Sequence, residues 1–189
     1  MAYFEDLSEY VYLARPGQTR AENIGWLDKE NLFDRQPPVE ATLDALWGLC
    51  MVEVTQARGF HTCDLCSSPA PLVIASRAGN GIRLGSAEIR VFSPSGRIYA
   101  APNLIYHYVR THHYQPPKEF LTALNEGPLP PNPDFFKFLT QAGLDWGETF
   151  KLPGDTRESA PVITGLRHEN SGGQWQRISI ELPLVVDQD

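Results

Sequence analysis

The residues able to do chemistry in this chain fall in two clusters. One is the heptapeptide Phe60-His61-Thr62-Cys63-Asp64-Leu65-Cys66; the other comprises Tyr106-His107-Tyr108 and His112-His113. Two of the three cysteines and four of the five histidines lie there. Cys-x-x-Cys puts two thiolates at the tip of one tight turn, which is half of a tetrahedral zinc site. His61, two residues before Cys63, shares its face if the approach is extended.

A closed zinc site takes four protein donors at about 2.0 to 2.3 Å. Two sets compete here. The first is His61, Cys63, Cys66 and His107. The second is Cys63, Cys66, His107 and His112, whose histidine spacing lies in the range of zinc fingers. On a regular helix positions 107 and 112 differ by about 140°, so the second set requires the helix to loosen near its end. The first set is therefore preferred, with His112 as the substitute. His113 should point elsewhere. The bland alternative is an unmetallated surface turn beside a helix of packing aromatics. A thiol–disulfide role is a third reading, and the motif lacks the thioredoxin-like βαβ setting that would support it.

Other residues carry less. Glu88 could move protons beside a metal-bound water, but a carboxylate on the polar face of a strand is more simply a solvated one. Cys50 falls on an apolar helix stripe and reads as packing. Glycine-rich pieces (Gly79-Asn80-Gly81, Gly172-Gly173) lack the lysine and helix of a phosphate loop, and the serines show no nucleophile elbow.

The elements that must position these groups follow from periodicity. Glu9 to Leu13 reads as a short strand, and Ile24 to Asp28 as a second extended piece. A helix is predicted over 38–50, with Val39, Leu43, Leu46, Trp47 and Cys50 as its buried stripe. Strands are expected at Leu72 to Ser76, Gly81 to Leu84, Ala87 to Phe92 and Arg97 to Ala101. Ser93-Pro94-Ser95-Gly96 has the chemistry of a tight turn. Ala87, Ile89 and Val91 alternate with Ser86, Glu88 and Arg90, which predicts a meander with one wet face. Helices follow at 102–113, 117–125 and 133–142. Ile178, Ile180, Leu182, Leu184 and Val186 alternate as a final half-buried strand, placed at an edge or bulge by Pro183. The fold class expected is α+β: an antiparallel meander with several short helices packed on it, around a zinc knuckle. The domain spans 1–126, a proline-rich linker 127–133, and a C-terminal helix-and-strand extension 134–189, packed on the same domain.

Composition sets outer bounds. A 42% hydrophobic and 11% aromatic chain of 189 residues can build a real core. No apolar run reaches the roughly 18 residues of a membrane span. The start, Met1-Ala2-Tyr3-Phe4-Glu5-Asp6, has no basic or apolar leader, and the cysteine usage suits a reducing compartment. A cytoplasmic location is expected. The formal charge of −7 argues against a general nucleic-acid binder, which needs a basic face, and suits a basic partner.

Several pieces together resemble an uncharacterised bacterial family, frequent among actinobacteria and other soil bacteria. They are Tyr3-Phe4-Glu5-Asp6-Leu7 with Tyr10, Asn23-Ile24-Gly25-Trp26-Leu27-Asp28, Arg58-Gly59-Phe60-His61-Thr62-Cys63-Asp64-Leu65-Cys66 and Leu84-Gly85-Ser86-Ala87-Glu88-Ile89-Arg90-Val91. The longest is Tyr99-Ala100-Ala101-Pro102-Asn103-Leu104-Ile105-Tyr106-His107-Tyr108, continuing to His112, Tyr114, Pro116, Pro117 and Phe120. The resemblance covers about residues 1 to 125. It implies a small soluble domain with a zinc site and transfers no reaction. In that pattern the position of His113 need not be histidine, which favours His107 or His112 as fourth ligand.

The expectation is a non-enzymatic, zinc-stabilised binding protein with a protein partner, such as a bacterial immunity or accessory protein. Neither membrane nor nucleic acid is expected as partner. The alternative is a zinc-dependent hydrolase or deaminase-like enzyme, with Zn2+ held by His61, Cys63 and Cys66, an open position for water, and Glu88 as proton carrier.

Overall fold

The computed structural model describes residues 3–57, 59–67, 73–77 and 80–148, and the backbone of strands at 151–152, 162–168, 175–181 and 185–186. Its elements run β1 (Glu22–Asn23), α1 (Glu40–Cys50), β2 (Val52–Val54), β3 (Val73–Arg77), β4 (Asn80–Leu84), β5 (Glu88–Phe92), β6 (Ile98–Pro102), α2 (Ile105–His112), α3 (Lys118–Glu126), α4 (Pro133–Gln141), β7 (Trp146–Glu148), β8 (Lys151–Leu152), β9 (Val162–His168), β10 (Trp175–Glu181) and β11 (Val185–Val186). The fold is α+β, with short helices packed against largely antiparallel sheet.

The expected meander is divided between two sheets. β5 and β6 pair antiparallel around the Ser93–Gly96 turn, inside a five-stranded sheet ordered β1-β6-β5-β2-β7. β3 and β4 form the centre of a four-stranded sheet ordered β11-β3-β4-β8. Glu9 to Leu13 is not a strand; Glu9 makes only an isolated bridge to Glu22. β9 and β10 pair antiparallel as a separate ribbon. Leu72, the Ala78-Gly79 turn, Gly172-Gly173 and Pro183 lie outside the described residues, as does the side-chain burial of the last strands.

Helix ends differ from expectation for local reasons. Val39 keeps an extended backbone (φ −92°, ψ 132°) and caps α1 from outside; it is exposed, and the buried residues are Leu43, Leu46, Leu49 and Cys50. Pro102 does not open α2. It ends β6 opposite Glu88, and the helix starts three residues later. α4 starts at Pro133, its N-terminus capped by the Asn132 side chain, which accepts from the Asp134 amide at 2.9 Å.

The wet face predicted for β5 is absent: all five of its residues are buried, Glu88 and Arg90 included. α1, α3 and α4 pack against this strand, while the N-terminal segment reaches its polar side chains. Tyr10 donates its hydroxyl to both Glu88 carboxylate oxygens at 2.7 and 2.9 Å. Arg90 pairs with Glu88 at 2.7 Å and lays its guanidinium over the Tyr10 ring, 4.9 Å from the centroid. Trp26 donates its indole N–H to the Ala100 carbonyl at 3.1 Å, tying the same segment to β6. Glu88 is thus an internal ion-pair residue rather than a solvated carboxylate.

The core extends beyond α3. Phe135 and Leu139 of α4 are fully buried, Phe135 edge-on to Phe92 at 5.7 Å, and β7 pairs with β2. Gly127 lets the chain pass at this point, since a Cβ there would stand 1.9 Å from the Phe92 carbonyl oxygen.

Candidate metal centre

Three local devices bring the two clusters together. Residues 85–87, between β4 and β5, form the first. Gly85 has φ +99°, and a Cβ on it would lie 2.2 Å from the His61 carbonyl oxygen; only glycine lets the backbones meet so closely. The His61 amide donates to the Gly85 carbonyl at 2.8 Å, fixing the approach to the knuckle.

Asn103 is the second device. Its side-chain oxygen accepts the Gly85 amide at 2.6 Å, and its own amide donates to the Ala87 carbonyl at 2.9 Å. The Cys50 thiol contacts the Asn103 carbonyl at 3.4 Å from the core, so Cys50 packs under the centre instead of joining it. The start of α2 and the approach to the knuckle are therefore held by one buried residue.

The third device is the end of α2. His113 is left-handed (φ 58°), and its amide bonds the Tyr108 carbonyl, five residues back. The Tyr114 amide reaches the same carbonyl at 3.0 Å. These spans exceed the four-residue repeat of an α-helix, and a widened last turn draws residues five apart towards one side. His107 and His112 converge, their Nε2 atoms 3.2 Å apart.

Cys63, Cys66, His107 and His112 form the resulting group, with one ligand atom from each and all four atoms within 4.8 Å of one another. Cys63 Sγ lies 3.2 Å from His112 Nε2, while Cys66 Sγ lies 3.3 Å from His107 Nε2 and 3.5 Å from His112 Nε2. A zinc tetrahedron with bonds of 2.0–2.1 Å to nitrogen and 2.3 Å to sulfur has N···N edges of about 3.3 Å and S···N edges of about 3.5 Å. The His107–His112 distance and the three Cys–His distances above lie close to those edges. One Nε2 facing a second Nε2 and two sulfurs is a poor hydrogen-bonding arrangement but a good coordination shell. The cluster can coordinate a metal ion and is consistent with zinc.

Its surroundings suit that use. Cys63 and His107 are buried; Cys66 and His112 are half-buried. Burial pushes the Cys63 thiol up to about 12, so its thiolate at neutral pH calls for an adjacent cation. Tyr108 is pushed well above the ordinary phenol range by burial first, then by the Cys63, Asp64 and Cys66 charges. The Thr111 hydroxyl lies 3.2 Å from His107 Nδ1, leaving Nε2 for the cluster.

The sequence-predicted residues distribute as follows. Cys63, Cys66 and His107 come together. His112 joins them, and His61 is not among them: its backbone is docked on Gly85, and the residue lines a cavity of about 20 Å3 with Glu88, Tyr12 and Trp26, room for about one water. His113 is exposed and accepts the Gln36 amide on its carbonyl at 2.8 Å. Thr111, Asn103 and Gly85 were not singled out from sequence. The only signal for them is position, beside a ligand or a close backbone approach.

A family match spans both clusters. The family described as Domain of unknown function (DUF7919) matches residues 2–125. The chain belongs to that family. All four members of the cluster lie in the DUF7919 region, as do Gly85, Asn103 and Thr111. No curated protein and no solved structure matches the chain.

Proposed function

We propose that this DUF7919 member is a non-enzymatic, zinc-stabilised binding protein of the bacterial cytosol, acting as an immunity or accessory protein that binds another protein. The observation that carries the reading is a set of two thiols and two imidazoles whose donor atoms all lie within 4.8 Å of one another. Four protein donors characterise structural zinc, whereas catalytic zinc keeps a position for water. Zinc, when bound, cross-links the knuckle to α2 and holds both thiols as thiolates.

The alternative, a zinc-dependent hydrolase or deaminase-like enzyme, needs a base beside the metal. Glu88 is engaged by Tyr10 and Arg90 instead, which supports the binding reading. Among the described residues no helix is long and apolar enough to cross a membrane, in keeping with a partner outside the bilayer. The test is Cys63→Ser in the full chain. It should lower the melting temperature by several degrees and leave no hydrolytic or deaminase turnover to lose. A turnover present in the wild type and abolished by Cys63→Ser would establish the enzyme.

A further inference from the structure

The chain also carries a groove of about 960 Å3, lined by Tyr3, Phe4, Leu27, Leu32, Phe33 and Leu121 together with Glu5, Asp6, Asp34 and Lys118. This is the size of ligand-binding clefts, which run about 300 to 1,000 Å3. Its walls are tied together. Arg35 bridges Tyr114, and the Gln115 amide donates to the Asp34 carbonyl at 2.8 Å, so residues 34–36 and 113–115 form a fixed clasp. At the floor, Asp6 accepts the Gly25 amide at 2.8 Å and the Tyr114 hydroxyl at 2.7 Å.

Two properties of the lining specify an occupant. Leu32 is 101% exposed and Tyr3 37%, beside half-buried Phe33 and Leu121, so apolar area is offered to a partner. The charge leans acidic: three carboxylates (Glu5, Asp6, Asp34) line the groove with one ammonium, Lys118, while the Arg35 guanidinium stacks over the Phe33 ring, 4.7 Å from its centroid. Burial raises Asp6 above the usual carboxylate range, and a cation placed beside it would relieve that cost. Tyr3 feels the same field, its phenol raised by burial and then by Glu5, Asp6 and Asp28.

We infer that this groove docks a basic segment of a partner protein, one presenting lysine or arginine next to an apolar side chain. The inference rests on the binding reading above and names its surface and partner chemistry. The groove supplies both halves of such recognition: carboxylates for steering and apolar area for the contact.

The experiment is a titration of the full, zinc-loaded chain, followed by amide NMR shifts, with three blocked synthetic hexapeptides. One alternates lysine and leucine, one glutamate and leucine, and one lysine and glycine. The lysine–leucine peptide should shift residues 3–6, 32–34 and 115–121 saturably. The glutamate–leucine peptide should bind at least tenfold more weakly, as should the lysine–glycine peptide. Glu5→Lys with Asp34→Lys, both at exposed positions, should weaken the lysine–leucine peptide at least tenfold while the rest of the spectrum is retained. Equal binding by the double variant, or by the lysine–glycine peptide, overturns the groove. So does a saturable shift confined to another surface, an outcome that would leave the binding reading standing. Absence of binding by all three peptides likewise overturns the groove, and if Cys63→Ser in addition abolishes a turnover, the binding reading falls with it.

Discussion

The side-chain oxygen of Asn103 accepts the backbone amide of Gly85 at 2.6 Å in the buried interior. One neutral hydrogen bond thereby joins the loop that docks the cysteine knuckle to the residue just before the N-cap of the helix carrying both histidines. Register between the two halves of the metal centre depends on it.

Asn103→Ala should therefore do more than remove a contact. It leaves the Gly85 amide buried without its acceptor, at a cost of about 1–3 kcal/mol. It should also lower zinc affinity, because the histidines lose their reference to the knuckle. Denaturant unfolding with and without zinc reads both effects. Equal losses in the zinc-loaded and zinc-free proteins would show that Asn103 supports the fold alone.

Thr111→Val removes the oxygen 3.2 Å from His107 Nδ1 with little change of shape. Groups that orient ligating histidines are worth about 10- to 100-fold in metal affinity. A competition titration against a zinc chelator should show a weakening in that range, with little change in stability at saturating zinc. Unchanged affinity would remove Thr111 from the account.

Glu88 sets a pH dependence. Burial raises its carboxyl above the ordinary 4.5, against the lowering effects of Arg90 and Tyr10. The native state therefore binds the proton more tightly than the unfolded chain. This contribution is fully present below pH 4.5 and is lost as pH rises through the folded value. Glu88→Gln puts a neutral hydrogen-bonding group in place of the carboxyl and removes this titration. Its stability should therefore fall less steeply than wild type from pH 4.5 upward, at matched zinc occupancy. Parallel curves would contradict the assignment.

The family match stops at residue 125, yet Phe135 and Leu139 are buried against the same core. A chain ending near 126 loses both. Each such side chain is worth about 2–5 kcal/mol when truncated, against a total stability of about 5–15 kcal/mol. That chain should be insoluble or lack a cooperative melt. A soluble, cooperatively unfolding product would place α4 outside the core.

Residue types and spacing made the α+β class, the helix positions and both halves of the cluster legible. Cys-x-x-Cys and a downstream histidine pair need no tertiary information to be read as ligands. The competition between His61 and His112 was another matter. Spacing favours His61 only if the helix is regular, and the widened turn over Tyr108 is a backbone feature that side-chain spacing does not encode. Glu88 and Arg90 misled for a related reason: alternating charge along a strand signals solvent only if nothing covers that face, and Tyr10, far away in sequence, covers it. The division of the strands between two sheets likewise depends on pairings with β7, β8 and β11 that no local pattern reveals.

Cys63, Cys66, His107 and His112 are the proposed ligands of one zinc ion. X-ray absorption on full-length protein purified without a histidine tag tests this assignment most directly, alongside elemental analysis of His61→Ala and His112→Ala. One zinc per chain is expected, with two sulfurs at about 2.3 Å and two nitrogens at about 2.0–2.1 Å, retained by His61→Ala and weakened by His112→Ala. Well under half an equivalent of metal, or loss of zinc in His61→Ala with retention in His112→Ala, would contradict it.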